Sequence, residues 1–146
     1  MTSPDKTEEA QIRHQFDKIR EALHTKDLEA LQCLYSPDVI SFDIEPPLQH
    51  VGVTAKLKNW STVFTFFDTV TYEIRDLTIT TGLDIAFAHA FARLTGTLAN
   101  GTPTPGMWVR ATYGLRKIDN IWLISHDQVS VPLDIATGKG VIDLEP

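Results

Sequence analysis

Apolar positions along this chain repeat with two different periods, and the change between them divides the sequence. In the first part Ala10, Ile12, Phe16, Ile19, Ala22 and Leu23 recur near helical spacing. That predicts an amphipathic helix opening at Ser3-Pro4-Asp5 and running to about Thr25. Asp27 caps a second, shorter helix with Leu28, Leu31 and Leu34 on its buried stripe, and Ser36-Pro37-Asp38 ends it, because a residue before proline avoids the helical region. Val39 to Asp43 reads as a short strand, broken by Glu45-Pro46-Pro47. A third helix is expected from near Thr54 to about Phe67, with Leu57, Trp60, Val63, Phe64 and Phe67 as its apolar side.

After Asp68 the period becomes two. Val70 to Thr80 predicts a strand with a bulge near Arg75-Asp76, where the alternation slips. Ile85 to Leu98 predicts a long strand, with alanines on one face and Phe87, His89, Phe91, Arg93 and Thr95 on the other. Asn100 to Gly106 is a loop. Met107 to Pro132 then forms two alternating runs around a tight turn at Asp119-Asn120, a hairpin signal. Strict alternation puts Trp108, Arg110 and Thr112 on one face of its first strand, and Ile124, His126, Gln128 and Ser130 on one face of its second. That polar set is either the lining of a pocket or a wet subunit interface. Helices followed by strands imply an α+β fold: a long antiparallel sheet curled around a helix layer, with a cavity between them. The domain is expected over residues 1–132 and a C-terminal tail over 133–146.

Composition narrows the classes. The chain has 146 residues and a formal charge of -6, with Lys and Arg scattered, so nucleic-acid binding is not expected. The one cysteine, Cys33, makes no internal disulfide and is expected as a small buried hydrophobe in a reducing, cytoplasmic protein. The N-terminal stretch has no secretory pattern, and no apolar run approaches the roughly 20 residues of a membrane span. His14, His24 and His50 stand alone in sequence and are expected to be exposed. Gln128 leaves no HxH pair, so no metal site is expected. The glycines follow no phosphate-binding fingerprint, and no cofactor is expected.

Asp43 and His126 are the candidate catalytic residues. Asp43 sits between apolar strand residues and a Pro-rich loop, where desolvation would make it a usable base. His126 is the best-placed titratable group of the polar hairpin face. Arg110 is placed to hold a ligand carboxylate or to pair internally with Asp43 or Asp127. Gln128 is placed to orient His126 or a substrate carbonyl. Trp108, His89, Trp60 and Phe64 complete the expected lining, the last two as an apolar wall.

The element order, with Asp38-Val39-Ile40-Ser41-Phe42-Asp43, Trp108 to Thr112, Arg116 to Trp122 and His126 to Pro132, resembles the SnoaL-like, ketosteroid isomerase-like superfamily, also named after nuclear transport factor two. The resemblance implies a cone-shaped α+β barrel, a deep pocket and a dimer. It places Asp43 where isomerase members carry their general base, and His89 where association domains place a pocket arginine. Gln128 replaces a second histidine usual in close relatives. Phe16 lies where a first-helix tyrosine belongs, so the isomerase oxyanion hole is incomplete. The function expected is a cofactor-independent isomerase, cyclase or dehydratase acting next to a carbonyl, on a small hydrophobic or carbonyl- or carboxylate-bearing molecule. The rival is a non-catalytic ligand-binding or homo-association module.

Overall fold

A computed structural model describes residues 4–146. Ser3, the expected helix cap, lies outside the described residues. Helix α1 spans Pro4–His24 and α2 spans Leu28–Gln32, the latter capped by Asp27, whose side chain accepts from the Ala30 amide. Strand β1 spans Tyr35–Phe42, β2 His50–Val51, and α3 Val53–Phe66. The sheet continues through β3 (Phe67–Thr81), β4 (Ile85–Leu98), β5 (Pro103–Thr104), β6 (Trp108–Ile118) and β7 (Ile121–Ser130). In the tail β8 (Leu133–Asp134) and β9 (Lys139–Gly140) form a separate small hairpin.

The main sheet runs β2-β1-β7-β6-β4-β3, with β5 on β4. It is mixed where an antiparallel sheet was expected: β1 lies parallel to β7. Strand β1 also begins earlier than expected, at Tyr35. It takes in Ser36-Pro37, and its register against β7 slips between Tyr35 and Ile40, a break that accommodates a proline with no amide hydrogen. The expected bulge in β3 is present: Arg75 faces Phe91, the next pair is Thr78 with His89, and Asp76 takes φ 59°. Asp119 and Asn120, at φ 50° and 64°, make the primed turn that matches the twist of a two-residue hairpin.

The core lies between the helices and the concave face of this sheet. Ala86, Ala88, Ala90 and Ala92 point inward from β4, where small side chains leave room for the helix layer. Ile12, Phe16, Leu23, Leu115, Trp122 and Ile124 fill it, and Phe16 meets Tyr113 edge-on at 4.7 Å. The buried Gln15 amide donates to the Trp122 carbonyl at 2.7 Å, tying α1 to the hairpin. Cys33 is exposed rather than buried, because α2 ends there and turns it outward.

Candidate active site

Strand β7 decides which polar groups face the core. Leu115 pairs with Ile124, but the next residue of β6, Gly114, pairs with His126. Ser125 is therefore an extra residue, and it reverses the alternation. Ile124 points inward before the bulge, and Asp127 and Val129 point inward after it. Asp127 is 5 % exposed. The strict alternation expected for this strand is thus corrected, and with it the placement of the polar face.

His126 lies on the outer face of the sheet. Its Nδ1–H donates to the Ile40 carbonyl at 2.7 Å, and its ring meets exposed Phe42 edge-on. Gln128 and Arg110 are exposed on that face, Arg110 donating to Ser130 at 3.2 Å. Trp108 is covered there by the guanidinium groups of Arg75 and Arg93, at 4.5 and 4.6 Å. His89 is exposed on the same side, because the alanine face of β4 carries the core. The structure therefore does not bring His126, Gln128, Arg110, Trp108 or His89 together with Asp43.

Asp43 follows the end of β1 and faces inward, like Ser41 two residues before it. Its partner is Lys56, in the first turns of α3 and 3 % exposed. The Lys56 ammonium reaches Asp43 Oδ1 at 3.0 Å, Asp127 Oδ2 at 3.2 Å and Ser41 Oγ at 2.8 Å. The Ser41 hydroxyl donates to Asp127. Asn59, one turn along α3 from Lys56, donates to Asp43 Oδ2 at 2.8 Å. His50 Nε2 lies 3.4 Å from the same oxygen, brought there by the pairing of His50 with Ser41 in β2 and β1. The side chains of His50 and Asp43 are 14 % and 13 % exposed, so this is the open edge of the cluster. Trp60 and Phe64 continue the same stripe of α3, their rings 5.9 Å apart.

Three phenols close the deep end. The Tyr72 and Tyr113 hydroxyls are 3.3 Å apart, and the Tyr35 ring lies 5.9 Å from the Lys56 ammonium. Burial pushes all three phenols above the ordinary tyrosine range, so they stay protonated donors. Burial alone would push Lys56 down. The carboxylate charges of Asp127 and Asp43, with the hydrogen bond to Asp43, outweigh it and hold Lys56 above the ordinary lysine range, fully cationic.

Sequence reasoning passed over Lys56, Asn59, Ser41 and the three tyrosines, read Asp127 only as a partner for Arg110, and expected His50 to be exposed, whereas strand pairing leaves its side chain 14 % exposed. Two signals were present. Lys56 stands four residues before Trp60, on the stripe that also holds Phe64. Trp122 and Ile124 are also out of phase with Val129, which marks a bulge between them. Elsewhere, a surface groove of about 800 Å³ runs between α1, α2 and the β6–β7 turn, past His14, Lys18 and Cys33. It does not include the Asp43 cluster.

A similar solved structure is a nuclear transport factor two-like protein of unknown function from Pseudomonas putida. It is 26% identical, with a TM-score of 0.84, over 97% of this chain and 98% of that one. A ketosteroid isomerase-like protein from Erwinia carotovora has 23% identity and a TM-score of 0.68 over 83% of this chain and 93% of its own. A Novosphingobium aromaticivorans protein, whose name suggests a scytalone dehydratase, has 16% identity and a TM-score of 0.75 over 85% and 83%. The last two likenesses concern the fold alone. No curated protein matches the sequence. The family model of the SnoaL-like domain matches residues 12–134, and this chain belongs to that family.

Proposed function

We propose that this SnoaL-like chain is a cofactor-independent enzyme of the isomerase, cyclase or dehydratase type, moving a proton next to the carbonyl of a small molecule. The observation that carries the reading is the contact of His50 with Asp43 at the open edge of a buried polar cluster. The Asp43 carboxylate 3.4 Å from His50 Nε2 favours the tautomer protonated there, which leaves Nδ1 a lone pair to act as base. Asp43 orients the ring and is itself held by Lys56 and Asn59.

In this mechanism His50 removes a proton from the carbon beside the carbonyl. Negative charge gathers on the carbonyl oxygen, where protonated phenols supply donors in a water-poor interior. Returning the same proton to another carbon completes an isomerisation, and giving it to a departing hydroxyl completes a dehydration. Cys33, exposed and unpaired, supports a cytoplasmic setting.

The test is deuterium exchange at the methyl group of 2-acetylnaphthalene, followed by proton NMR. The wild-type chain is expected to accelerate exchange over buffer, and Asp43→Asn to lose about 10²-fold of that acceleration. No acceleration by the wild type would contradict the reading.

The rival reading, a homo-association module, draws on the outer face, where Phe42, Ile85 and Phe87 are exposed at 40%, 64% and 52%. Under it the chain is a homodimer through that face, which light scattering after gel filtration checks.

A further inference from the structure

The concave cluster sets two carboxylates against one ammonium: Lys56 pairs with both Asp43 and Asp127. With His50 neutral, the cluster carries one net negative charge. Lys56 donates to Ser41 and Asp43 and stands 3.2 Å from Asp127 Oδ2. Its charge is already outweighed by the two carboxylates beside it. Arg110, the guanidinium that would hold a ligand carboxylate, stands exposed on the other face of the sheet. Around the cluster the surroundings are aromatic and neutral: Trp60, Phe64 and the Tyr35 and Tyr72 phenols.

A carboxylate entering here would meet a net negative charge without a free cation, at low dielectric, where like charges repel strongly. A ketone or other neutral oxygen compound carries no such penalty. Of the two carboxylates, Asp43 faces His50 and Asn59 at the open edge. Asp127 lies deeper and is bound only to Ser41 and Lys56 among the bonds described above. It flanks the ammonium at 3.2 Å and supplies the surplus charge.

We infer that Asp127 is the specificity-determining residue of this site: it excludes carboxylates and so selects neutral, carbonyl-bearing molecules. The inference rests on the reading that the cluster faces the ligand. Asp127→Asn keeps the shape, removes the surplus charge and frees Lys56 to hold a ligand carboxylate.

The experiment measures binding of two probes of the same size, 2-acetylnaphthalene and 2-naphthoate, by calorimetry at about pH 8, above the ordinary histidine range. The wild-type chain is expected to bind the ketone about 30-fold more tightly than the acid. In Asp127→Asn the gap narrows about tenfold, through tighter naphthoate binding with ketone affinity little changed. A residue that served only to hold the fold together would weaken both ligands and would not make naphthoate bind more tightly.

Naphthoate binding to the wild type as tightly as the ketone, or a variant that weakens both probes alike, overturns the inference. So does a chain that binds neither probe. If the variant does not fold, the wild-type ratio decides alone. Deuterium exchange separates this outcome from the proposed reaction: a ketone preference without exchange leaves the inference standing and removes the catalytic reading.

Discussion

On the concave face Lys56 is 3 % exposed and holds Asp43 and Asp127 within 3.2 Å. On the outer face Arg110 is exposed and donates to Ser130 at a comparable distance. His50 and His126 differ in the same way. The first lies against a carboxylate at the edge of the buried cluster, and the second spends its Nδ1 hydrogen on the carbonyl of Ile40. Water screens the outer set, whereas the inner groups interact with one another at low dielectric. One sheet thus shows that a polar side chain gains chemical leverage from its surroundings more than from its type.

Removing the inner cation should have the largest effect. Lys56→Met leaves two buried carboxylates unpaired and is expected to cost about 3–5 kcal/mol of stability, read from denaturant unfolding. If it is tolerated with less than about 1 kcal/mol lost, the cluster is wet and the contrast between the faces fails.

Alkaline titration should come next. All three tyrosines of the chain, Tyr35, Tyr72 and Tyr113, are raised above the usual range, and so is Lys56. Unfolded phenols ionise near pH 10 and unfolded lysines near 10.4, so above about pH 10 the folded chain binds more protons than the unfolded one. Stability is therefore fully present below that pH and falls as pH rises through it. Absorbance at the phenolate band should stay flat until far-ultraviolet dichroism is lost. A phenolate signal from folded protein would contradict the burial of these rings.

On the outer face the effects shrink. His126→Ala deletes one hydrogen bond, to the Ile40 carbonyl, and is expected to cost about 1 kcal/mol without altering ketone exchange. Arg110→Ala is expected to stay within about 0.5 kcal/mol. A larger loss at Arg110 would give the outer face an energetic role that its exposure does not explain.

Much of the fold was legible because its elements follow local rules. Asp27 caps α2, the β3 slip falls at Arg75-Asp76, and Asp119-Asn120 makes the turn. The strand end before Asp43 and the helical stripe of Trp60 and Phe64 were also legible. The polar face was not, for two physical reasons. One extra residue, Ser125, reverses the alternation of β7 and exchanges His126 for Asp127. Lys56 reads as a solvated helix residue until partners 15 and 71 positions away, Ser41 and Asp127, are folded against it. Such pairing is invisible to local patterns, and so is the strand pairing that brings His50 to Asp43.

The most direct test sets the two histidines against each other in ketone exchange. His50→Gln is expected to lose about 10²–10⁴-fold of the acceleration, while His126→Gln stays near the wild-type rate. Equal losses, or a loss confined to His126→Gln, would contradict an acid–base centre on the concave face.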